Sequence, residues 1–386
     1  MSDLLHSLRL KRTPDERGRA RFVTELRRLV SHELAAGLRR SFERDVPERE
    51  RRNARNGEDV HRLARSLEAF HFYSALRVAA QDMVYQSVCA PIERQRDALA
   101  GRAADLARER PLGSLTLDPT LAIPRSVSAI DIHLMPGSYT RDDGLDDLTA
   151  GAVYDNRLQV TSMDLMGRNL DDIGLSIASY VRAQYPDFQP RQILDLGCTV
   201  GHNTGAWKDV FPQAEVHGID VAAPCLRYAQ ARARAQDRAI HFHQMNATAL
   251  RFADASFDVV FSSMFLHELP RRDIARVFRE AHRVLRPGGL MLHMELPPNR
   301  SLAPFDQFYL DWDSFYNNEP FYKPYRDQDP RALCRAAGFD ESRFFEHAIP
   351  SVSDAVAWKS RGQTPIDAAV GKLAKGVRWY FFGAWK

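Results

Sequence analysis

The sequence predicts an α/β fold, in which a parallel sheet is covered by helices on both faces and is preceded by a mainly helical N-terminal domain. Beyond residue 190, short apolar runs alternate with helical stretches. This alternation is typical of parallel strands joined by helices. Before residue 110, proline is sparse and apolar residues recur at helical spacing, as at Phe22, Leu26, Leu29 and Val30. Strands are expected at 193–196, 214–221, 241–245, 257–261, 290–296 and 342–348, with a last strand at 377–382.

The chain divides into three predicted regions. Residues 1–110 form the helical N-terminal domain. In residues 111–150 prolines alternate with glycines, which interrupts any long helix and indicates a linker or lid segment. Residues 151–386 form the sheet-containing core, with an aromatic-rich insertion at about 297–329.

Composition narrows the class of protein. The 386 residues carry 53 Lys and Arg against 50 Asp and Glu, a formal net charge of +3, so we expect no dedicated nucleic-acid binder. The four cysteines contain no CxxC pair, and neither a metal site nor a disulfide scaffold is expected. The N-terminus meets charge within a few residues, and no apolar run is long enough for a bilayer. We therefore expect a cytoplasmic protein without a membrane segment, and the oligomeric state is left open.

A glycine-rich turn follows the first predicted core strand. The run Ile193–Thr204 places Asp195 in a buried strand, turns at Gly197 and Gly201, and then enters a helix. Glycines at such a turn let backbone N–H groups approach a ligand closely, and a helix N-terminus favours a negative group.

The next strand ends in an acid, Asp220. At this place in a βαβ unit a carboxylate can accept both hydroxyls of a ribose. The dinucleotide pattern G-x-G-x-x-G is not met, because Thr199 and His202 occupy its second and third glycine positions. NAD is therefore disfavoured as the ligand.

With the segments Asn246-Ala247, Phe257–Val260 and Arg286–Gly289 added in order, the sequence resembles the class I S-adenosylmethionine-dependent methyltransferases. It is most similar to the methyltransferase type 11 group, which is ubiquinone/menaquinone methyltransferase-like. The resemblance covers roughly residues 190–295. It implies a Rossmann-like, seven-stranded sheet, an S-adenosyl-L-methionine cofactor and a small-molecule acceptor.

The resemblance also implies roles for individual residues. The methionine end of the cofactor would lie at the glycine turn, the ribose at Asp220 with the adenine beside Val221, and the adenine amino group at Asn246. Ser262 would line the cofactor trough. Two positions depart from the family pattern, since Thr199 replaces a glycine and Asn246 an aspartate. The expected cofactor-binding residues are Asp195, Gly197, Cys198, Thr199, Gly201, Asp220, Val221, Asn246, Ala247 and Ser262.

His267 is the candidate general base, and Glu268 beside it is the candidate to orient it or to bind a cation. Both follow the fourth strand of the core, and open α/β sheets bind ligands beyond the carboxyl ends of their strands. An imidazole titrates near neutral pH, as proton transfer requires. Alternatively, this segment only caps the next helix and pairs with an arginine such as Arg271.

The aromatic-rich insertion is the candidate substrate wall, because aromatic faces combined with carboxylates attract organic cations such as amines. Alternatively, it is the surface against which the N-terminal helices pack. Tyr139 and Tyr154 belong either to a lid over the cofactor or to a packed linker. The expected substrate-binding residues are Tyr139, Tyr154, Glu295, Tyr309, Asp311, Trp312, Asp313 and Tyr316.

Small-molecule methyl transfer is the favoured function, and three others stay open. One is different S-adenosylmethionine chemistry, either aminocarboxypropyl transfer or intramolecular cyclisation. Another is methylation of RNA docked by the N-terminal helices. The third is a cofactor-binding scaffold without turnover.

Overall fold

Within the part of the chain that the structure describes, eight strands form one sheet. The structure is a computed structural model that describes residues 6–163, 165–354 and 378–386, so the predicted starts of the chain and of the last strand, at Met1 and Val377, lie outside the described residues. The strands are β1 (Ser114–Thr116), β2 (Gln192–Leu196), β3 (Glu215–Asp220), β4 (His241–Gln244), β5 (Phe257–Ser263), β6 (Leu285–Met294), β7 (Phe344–Pro350) and β8 (Arg378–Trp385).

The sheet has the strand order β1-β4-β3-β2-β5-β6-β8-β7. Strands β1 to β6 run parallel, and β8 lies antiparallel between β6 and β7. The predicted parallel sheet is confirmed. The order reverses between β2 and β5, where the chain passes from one half of the sheet to the other, and ligand sites of open α/β sheets lie at such a point.

The seven predicted strands are all present in the described residues, and β1 adds an eighth at the edge of the sheet beside β4. It lies within the segment interpreted as linker or lid. Ser114 pairs with His241, and the preceding Gly113 has a φ of 64°. A Cβ at Gly113 would lie 2.0 Å from the carbonyl oxygen of Ile240, so this approach requires glycine. Three residues between proline and glycine are too few to show a strand period.

Helices fill the N-terminal region and cover the sheet. Between α1 and α2 the chain makes a π-helical turn at Leu29–Leu34, and short 3₁₀ turns occur at Ile132–Leu134, Leu266–Glu268, Asn299–Ser301 and Glu341–Arg343. The α-helices are α1 (Pro14–Arg28), α2 (Ala35–Asp45), α3 (Glu48–Asn53), α4 (Gly57–Ala64), α5 (Glu68–Glu93), α6 (Arg96–Glu109), α7 (Arg125–Ser128), α8 (Thr149–Thr161), α9 (Asp172–Gln184), α10 (His202–Val210), α11 (Ala223–Ala235), α12 (Arg271–Val284), α13 (Pro304–Tyr316), α14 (Tyr322–Arg326) and α15 (Pro330–Ala336).

The N-terminal helices pack directly on the sheet-containing part. Helix α5 contacts α1 and α8, α8 contacts α11 of the core, and α4 contacts α13. One hydrophobic cluster joins α1, α5 and α6 to α8 and α11. A second joins α2, α4 and α5 to α13. The 26-residue helix α5 therefore contacts both α8 and α13.

The two faces of the sheet bury separate apolar clusters. One packs α9 and α10 against β2, β5 and β6, and the other packs α12 and α15 on the opposite face. The carboxyl ends of the parallel strands meet at one edge, and the polar residues of interest follow there. No helix among the described residues is both long and apolar enough to cross a bilayer.

Candidate active site

A cavity of about 440 Å³ lies at the carboxyl ends of β2, β3, β5 and β6. Its size is within the usual range for small-molecule sites. Its floor comes from the sheet and the turns that follow the strands, and its roof from α8 and residues 132–139. Polar and charged side chains that line it include Arg27, Gln81, His133, Tyr139, Tyr154, Arg157, Thr199, His202, Asp220, Ser263, His267, Glu268, Glu295 and Asn317.

The turn after β2 adopts the backbone conformation that a close ligand approach needs. Gly197 and Gly201 have φ values of 71° and 74°, and Thr199 has 49°, which is uncommon for a residue with a side chain. A Cβ at Gly197 would lie 2.2 Å from the ring of Phe265. The missing side chain thus leaves room for the Phe265 ring and exposes the turn to the cavity. Helix α10 begins directly after this turn, at His202.

Asp220 is tied to the same turn. Its Oδ2 accepts a hydrogen bond from the Thr199 amide at 2.9 Å, and its Oδ1 accepts one from the Ala222 amide at 2.9 Å. Burial raises the pKa of Asp220, although these amide hydrogen bonds oppose the effect. Because each carboxylate oxygen has two lone pairs, both oxygens can still accept a ligand hydroxyl.

Glu295 organises the loop that follows β5. Its Oε1 accepts hydrogen bonds from the amides of Phe265 and Leu266, at 2.9 and 2.6 Å. Its Oε2 lies 2.6 Å from Nδ1 of His267. Glu295 is 1% exposed, so one buried carboxylate both shapes the loop and orients the imidazole.

The second nitrogen of His267 is left for a ligand. Its Nε2 lies 3.9 Å from Glu268 and 4.0 Å from Glu319, beyond hydrogen-bonding distance. Burial by itself lowers the pKa of His267, but the carboxylates of Glu295, Glu268 and Glu319 outweigh it and raise the pKa to about 9. In this state the imidazole is largely protonated at neutral pH.

His133 completes an acidic cluster that we define as His133, His267, Glu268, Glu295 and Glu319. Its ring lies between two carboxylates, with Nε2 3.2 Å from Glu268 and Nδ1 3.1 Å from Glu319. Burial lowers the pKa of His133, and Glu319 and Glu268 more than compensate, so the pKa is raised. Even with both imidazoles protonated, the three carboxylates leave the acidic cluster negative.

The backbone of His133 is strained and is held in place by helix α5. Its φ is 57°, in the left-handed region. Helix α5 fixes it, because the His133 carbonyl accepts hydrogen bonds from Nε2 of Gln81 at 2.8 Å and from the Tyr85 hydroxyl at 3.0 Å. A strained residue at a ligand site is a known feature of functional positions.

Residues 193–289 match the family model described as a methyltransferase domain. They are part of a class I S-adenosylmethionine-dependent methyltransferase domain. The chain is 36% identical over 109 residues to a demethylmenaquinone methyltransferase of Thermus thermophilus, covering 28% of this chain and 49% of the relative. It is 34% identical over 112 residues to a malonyl-[acyl-carrier protein] O-methyltransferase of Pseudescherichia vulneris, covering 29% and 41%. The chain thus spans about half or less of these relatives.

Solved structures show weaker likeness. A phosphoethanolamine N-methyltransferase 2 of Haemonchus contortus has 18% identity and a TM-score of 0.36, covering 55% of this chain and 52% of that one. An O-methyltransferase family protein from Burkholderia thailandensis has 17% identity and a TM-score of 0.40, covering 62% and 60%. Neither bears on the acceptor of this protein.

Within the methyltransferase domain, four of the ten residues expected to bind the cofactor line the cavity: Gly197, Thr199, Asp220 and Val221. The other six lie around it. Gly201 ends the turn, and Cys198 packs in the core against Gly218. Asp195 is buried, accepts a hydrogen bond from the Thr204 hydroxyl at 2.6 Å, and has its pKa raised to about 8 by burial.

Asn246, Ala247 and Ser262 are engaged with the protein itself. The side-chain oxygen of Asn246 accepts hydrogen bonds from the amide and hydroxyl of Thr248, both at 2.9 Å. Ala247 is buried in the apolar cluster below. The hydroxyl of Ser262 lies 2.8 Å from Nδ1 of the buried His293. The neighbouring Ser263 lines the cavity in its place.

Three of the eight residues expected to bind substrate line the cavity: Tyr139, Tyr154 and Glu295. The Tyr139 hydroxyl donates to Glu268 at 3.3 Å, and the Tyr139 and Tyr154 rings lie 5.8 Å apart. Tyr154 also stacks on His202 at 5.9 Å. The two tyrosines therefore connect the acidic cluster to the start of α10.

The other five, all on α13, lie outside the cavity and contact the N-terminal helices, one another or α14. The Tyr309 hydroxyl lies 3.0 Å from that of Tyr73, and Trp312 stacks on Phe70 at 5.1 Å. Asp313 pairs with the buried Arg77. Asp311 accepts a hydrogen bond from Arg326 at 2.9 Å, and Tyr316 packs edge-on against Trp312. Helix α13 therefore forms a packing surface rather than a substrate wall.

Sequence reasoning missed three residues that line the cavity, His133, Arg157 and His202, and did not place Glu319 beside His133. His202 starts α10 and lies 2.7 Å from Asp155, which also accepts hydrogen bonds from the Tyr228 hydroxyl at 2.7 Å and from His6 at 3.0 Å. In the sequence, the segment around His133 indicates a linker or lid, and Tyr139 is its candidate substrate-binding residue. A single histidine between prolines and glycines carries no periodic signal that would have singled it out.

Proposed function

We propose that this protein transfers the methyl group of S-adenosylmethionine to an oxygen or nitrogen of a small-molecule acceptor, and that the neutral form of His267 takes the proton which the acceptor loses. Because the pKa of His267 is raised to about 9, this form is the minor one at neutral pH, and the rate should rise as the pH approaches 9. One observation supports this most directly. The turn after β2, the Asp220 carboxylate and the His267–Glu295 pair all line one cavity at the carboxyl ends of the strands.

The residues present suit the cofactor. Gly197 and Thr199 of the turn after β2 line the cavity, and the carboxylate of Asp220 has lone pairs free for the ribose hydroxyls. Val221 offers an apolar contact beside Asp220 for the adenine. When bound, the cofactor supplies a methyl group that is already activated by its sulfonium. The protein therefore needs to hold the nucleophile in line and to exclude water.

The acidic cluster indicates which kind of nucleophile fits. Its net negative charge disfavours an acceptor atom that arrives as an anion, and it favours a hydroxyl or an amine. Such an acceptor must lose a proton, and Nε2 of His267 is the imidazole nitrogen left without a hydrogen bond. Glu295 holds the ring in the orientation that presents Nε2. The aromatic rings of Tyr139 and Tyr154 line the same cavity.

The relatives support methyl transfer but name different acceptors, demethylmenaquinone and malonyl-[acyl-carrier protein]. The acceptor therefore has to be found by assay. Purified protein is incubated with S-adenosylmethionine labelled in its methyl group and a panel of phenols, alcohols and amines, together with carboxylic acids as the class that the acidic cluster disfavours. Formation of S-adenosylhomocysteine with a labelled product supports methyl transfer, whereas methylthioadenosine would indicate aminocarboxypropyl chemistry instead.

The role of His267 is tested in the same assay. We expect His267→Ala to lower the rate of methyl transfer about 100-fold or more, as for the loss of a general base, while affinity for S-adenosylhomocysteine is retained. His32→Ala, which removes an exposed imidazole on the N-terminal helices, is the matched control and should leave the rate unchanged. Equal loss of cofactor affinity and rate in His267→Ala would indicate a structural role.

A further inference from the structure

Arg157 is a buried guanidinium with no counter-ion in the described part of the chain. It projects from α8, lines the cavity, and is 6% exposed. Its Nε is enclosed without a hydrogen-bond partner. No carboxylate among the described residues lies within the 4.0 Å ion-pair distance of its guanidinium. Its guanidinium lies over the ring of Tyr154, whose centroid is 5.2 Å from Cζ.

The other four buried arginines of the described residues each donate hydrogen bonds to another group, and three of them have a carboxylate partner. Arg77 and Arg326 have the carboxylates of Asp313 and Asp311 as partners, and Arg238 has Asp209. Arg232 donates to the carbonyls of Gly201 and Asn169, at 3.3 and 2.6 Å. Arg157 differs from these arginines, because its guanidinium donates no hydrogen bond to a described residue and each of theirs does.

A buried guanidinium cannot relieve its charge by losing a proton, because its pKa stays above the pH of any physiological solution. A cation–π contact with one tyrosine offsets only part of the cost of burial. Positive charge also accumulates here, since Arg27 lines the same cavity and donates to Gln81 at 2.6 Å rather than to an acid. Burial, with the nearby charge of Arg77, lowers the pKa of Arg27 to about 10.

We propose that Arg157 is the anion-binding residue of this cavity and that it pairs with a carboxylate of a bound small molecule. Two sources have this chemistry: the carboxylate at the methionine end of the cofactor, and an acid group of the acceptor. The planar guanidinium can donate two parallel hydrogen bonds to either. The inference rests on the proposed function, because it assigns one residue of that site to one group of its ligands.

The position of Arg157 is compatible with both sources. Tyr154, one turn before Arg157 on α8, stacks on His202 at the start of α10, beside the turn after β2. At its other side, Glu319 of the acidic cluster attracts Arg157 from beyond ion-pair distance. The residue thus lies between the end of the cavity assigned to the cofactor and the end assigned to the acceptor.

Calorimetry with two nucleosides tests the first source. S-adenosylhomocysteine has the carboxylate and methylthioadenosine lacks it, and both would occupy the adenosine end of the cavity. If Arg157 pairs with the cofactor, S-adenosylhomocysteine binds about 10- to 100-fold more tightly to the unmodified protein, and Arg157→Gln removes most of this preference. Arg157→Lys should restore part of it. Arg272→Gln, a loss of charge on the surface, should leave it unchanged.

Benzoate and its neutral amide test the second source, on protein saturated with S-adenosylhomocysteine. Preference for benzoate that disappears in Arg157→Gln assigns the residue to the acceptor. If neither the nucleoside pair nor the acid–amide pair responds to Arg157→Gln, the proposal is wrong. Binding of neither nucleoside would refute the proposed function separately, and the acid–amide comparison, repeated on the protein without nucleoside, would then still decide whether Arg157 binds an anion.

Discussion

The charge on His267 has a consequence for stability that is measurable without knowing the acceptor. The carboxylates of Glu295, Glu268 and Glu319 overcome burial and raise its pKa to about 9, whereas an imidazole in the unfolded chain titrates near about 6.5. The folded protein therefore retains a proton that the unfolded chain releases. The resulting stabilisation is complete below about pH 6.5 and is lost as the pH rises through about 9.

The size of this effect follows from the two pKa values. Each pH unit between them contributes about 1.36 kcal/mol, so the protonated imidazole contributes about 3 kcal/mol to the free energy of unfolding at low pH. We expect the difference in unfolding free energy between the unmodified protein and His267→Gln to shrink by about this amount between pH 6.5 and 9.5. Urea denaturation followed by circular dichroism measures it.

Two comparisons make this measurement specific. His133 titrates in the same direction, because its pKa is also raised, and subtracting the His267→Gln data removes its contribution. His61→Gln serves as the control, since burial and Arg65 lower the pKa of His61 and its substitution should give a constant difference above pH 7. A constant difference for His267→Gln across the whole range would show that His267 is neutral throughout, and the electrostatic account of the acidic cluster would then be wrong.

Three further predictions address the remaining parts of the site. Asp220→Ala should weaken binding of S-adenosylhomocysteine about 10- to 100-fold in calorimetry, because the ribose loses its acceptor; unchanged affinity would refute the assignment. Trp312→Ala should lower the free energy of unfolding by about 3–5 kcal/mol without changing that affinity, since the indole packs between helices. Asp155→Asn weakens the hydrogen bonds that join Asp155 to buried His202 and His6, and because burial keeps His202 uncharged at neutral pH, urea denaturation should show a loss of about 1–3 kcal/mol.

The sheet was predictable from the sequence because its signals are local. Each parallel strand is a short apolar run bounded by turns, and the turn at Gly197 and the acid at Asp220 follow strands directly. Position along the strand is enough to place such residues at the carboxyl edge of the sheet. The edge strand β1 escaped prediction because it has three residues and depends on its partner β4.

The acceptor end was less predictable, because its residues come together only through tertiary packing. His133, His267 and Glu319 belong to three separate segments, and nothing in their local sequence relates them. The same limit explains α13. Its aromatic residues and acids fitted both a substrate wall and a packing face, and only the positions of Phe70, Arg77 and the rest of α5 decide between them.

The two ends of the cavity are nevertheless mechanically connected, and Glu295 is the connection. Its carboxylate fixes the amide of Phe265, whose ring lies against Gly197 of the turn after β2, and it also orients His267. A change at Glu295 therefore reaches both the cofactor end and the candidate base, whereas a change at His267 reaches only the base. Glu295→Gln should accordingly lower affinity for S-adenosylhomocysteine as well as the rate, while His267→Ala should lower the rate alone. Measuring both variants in the same calorimetric and methyl-transfer assays distinguishes this connection from two independent ends, for which Glu295→Gln would leave cofactor affinity intact.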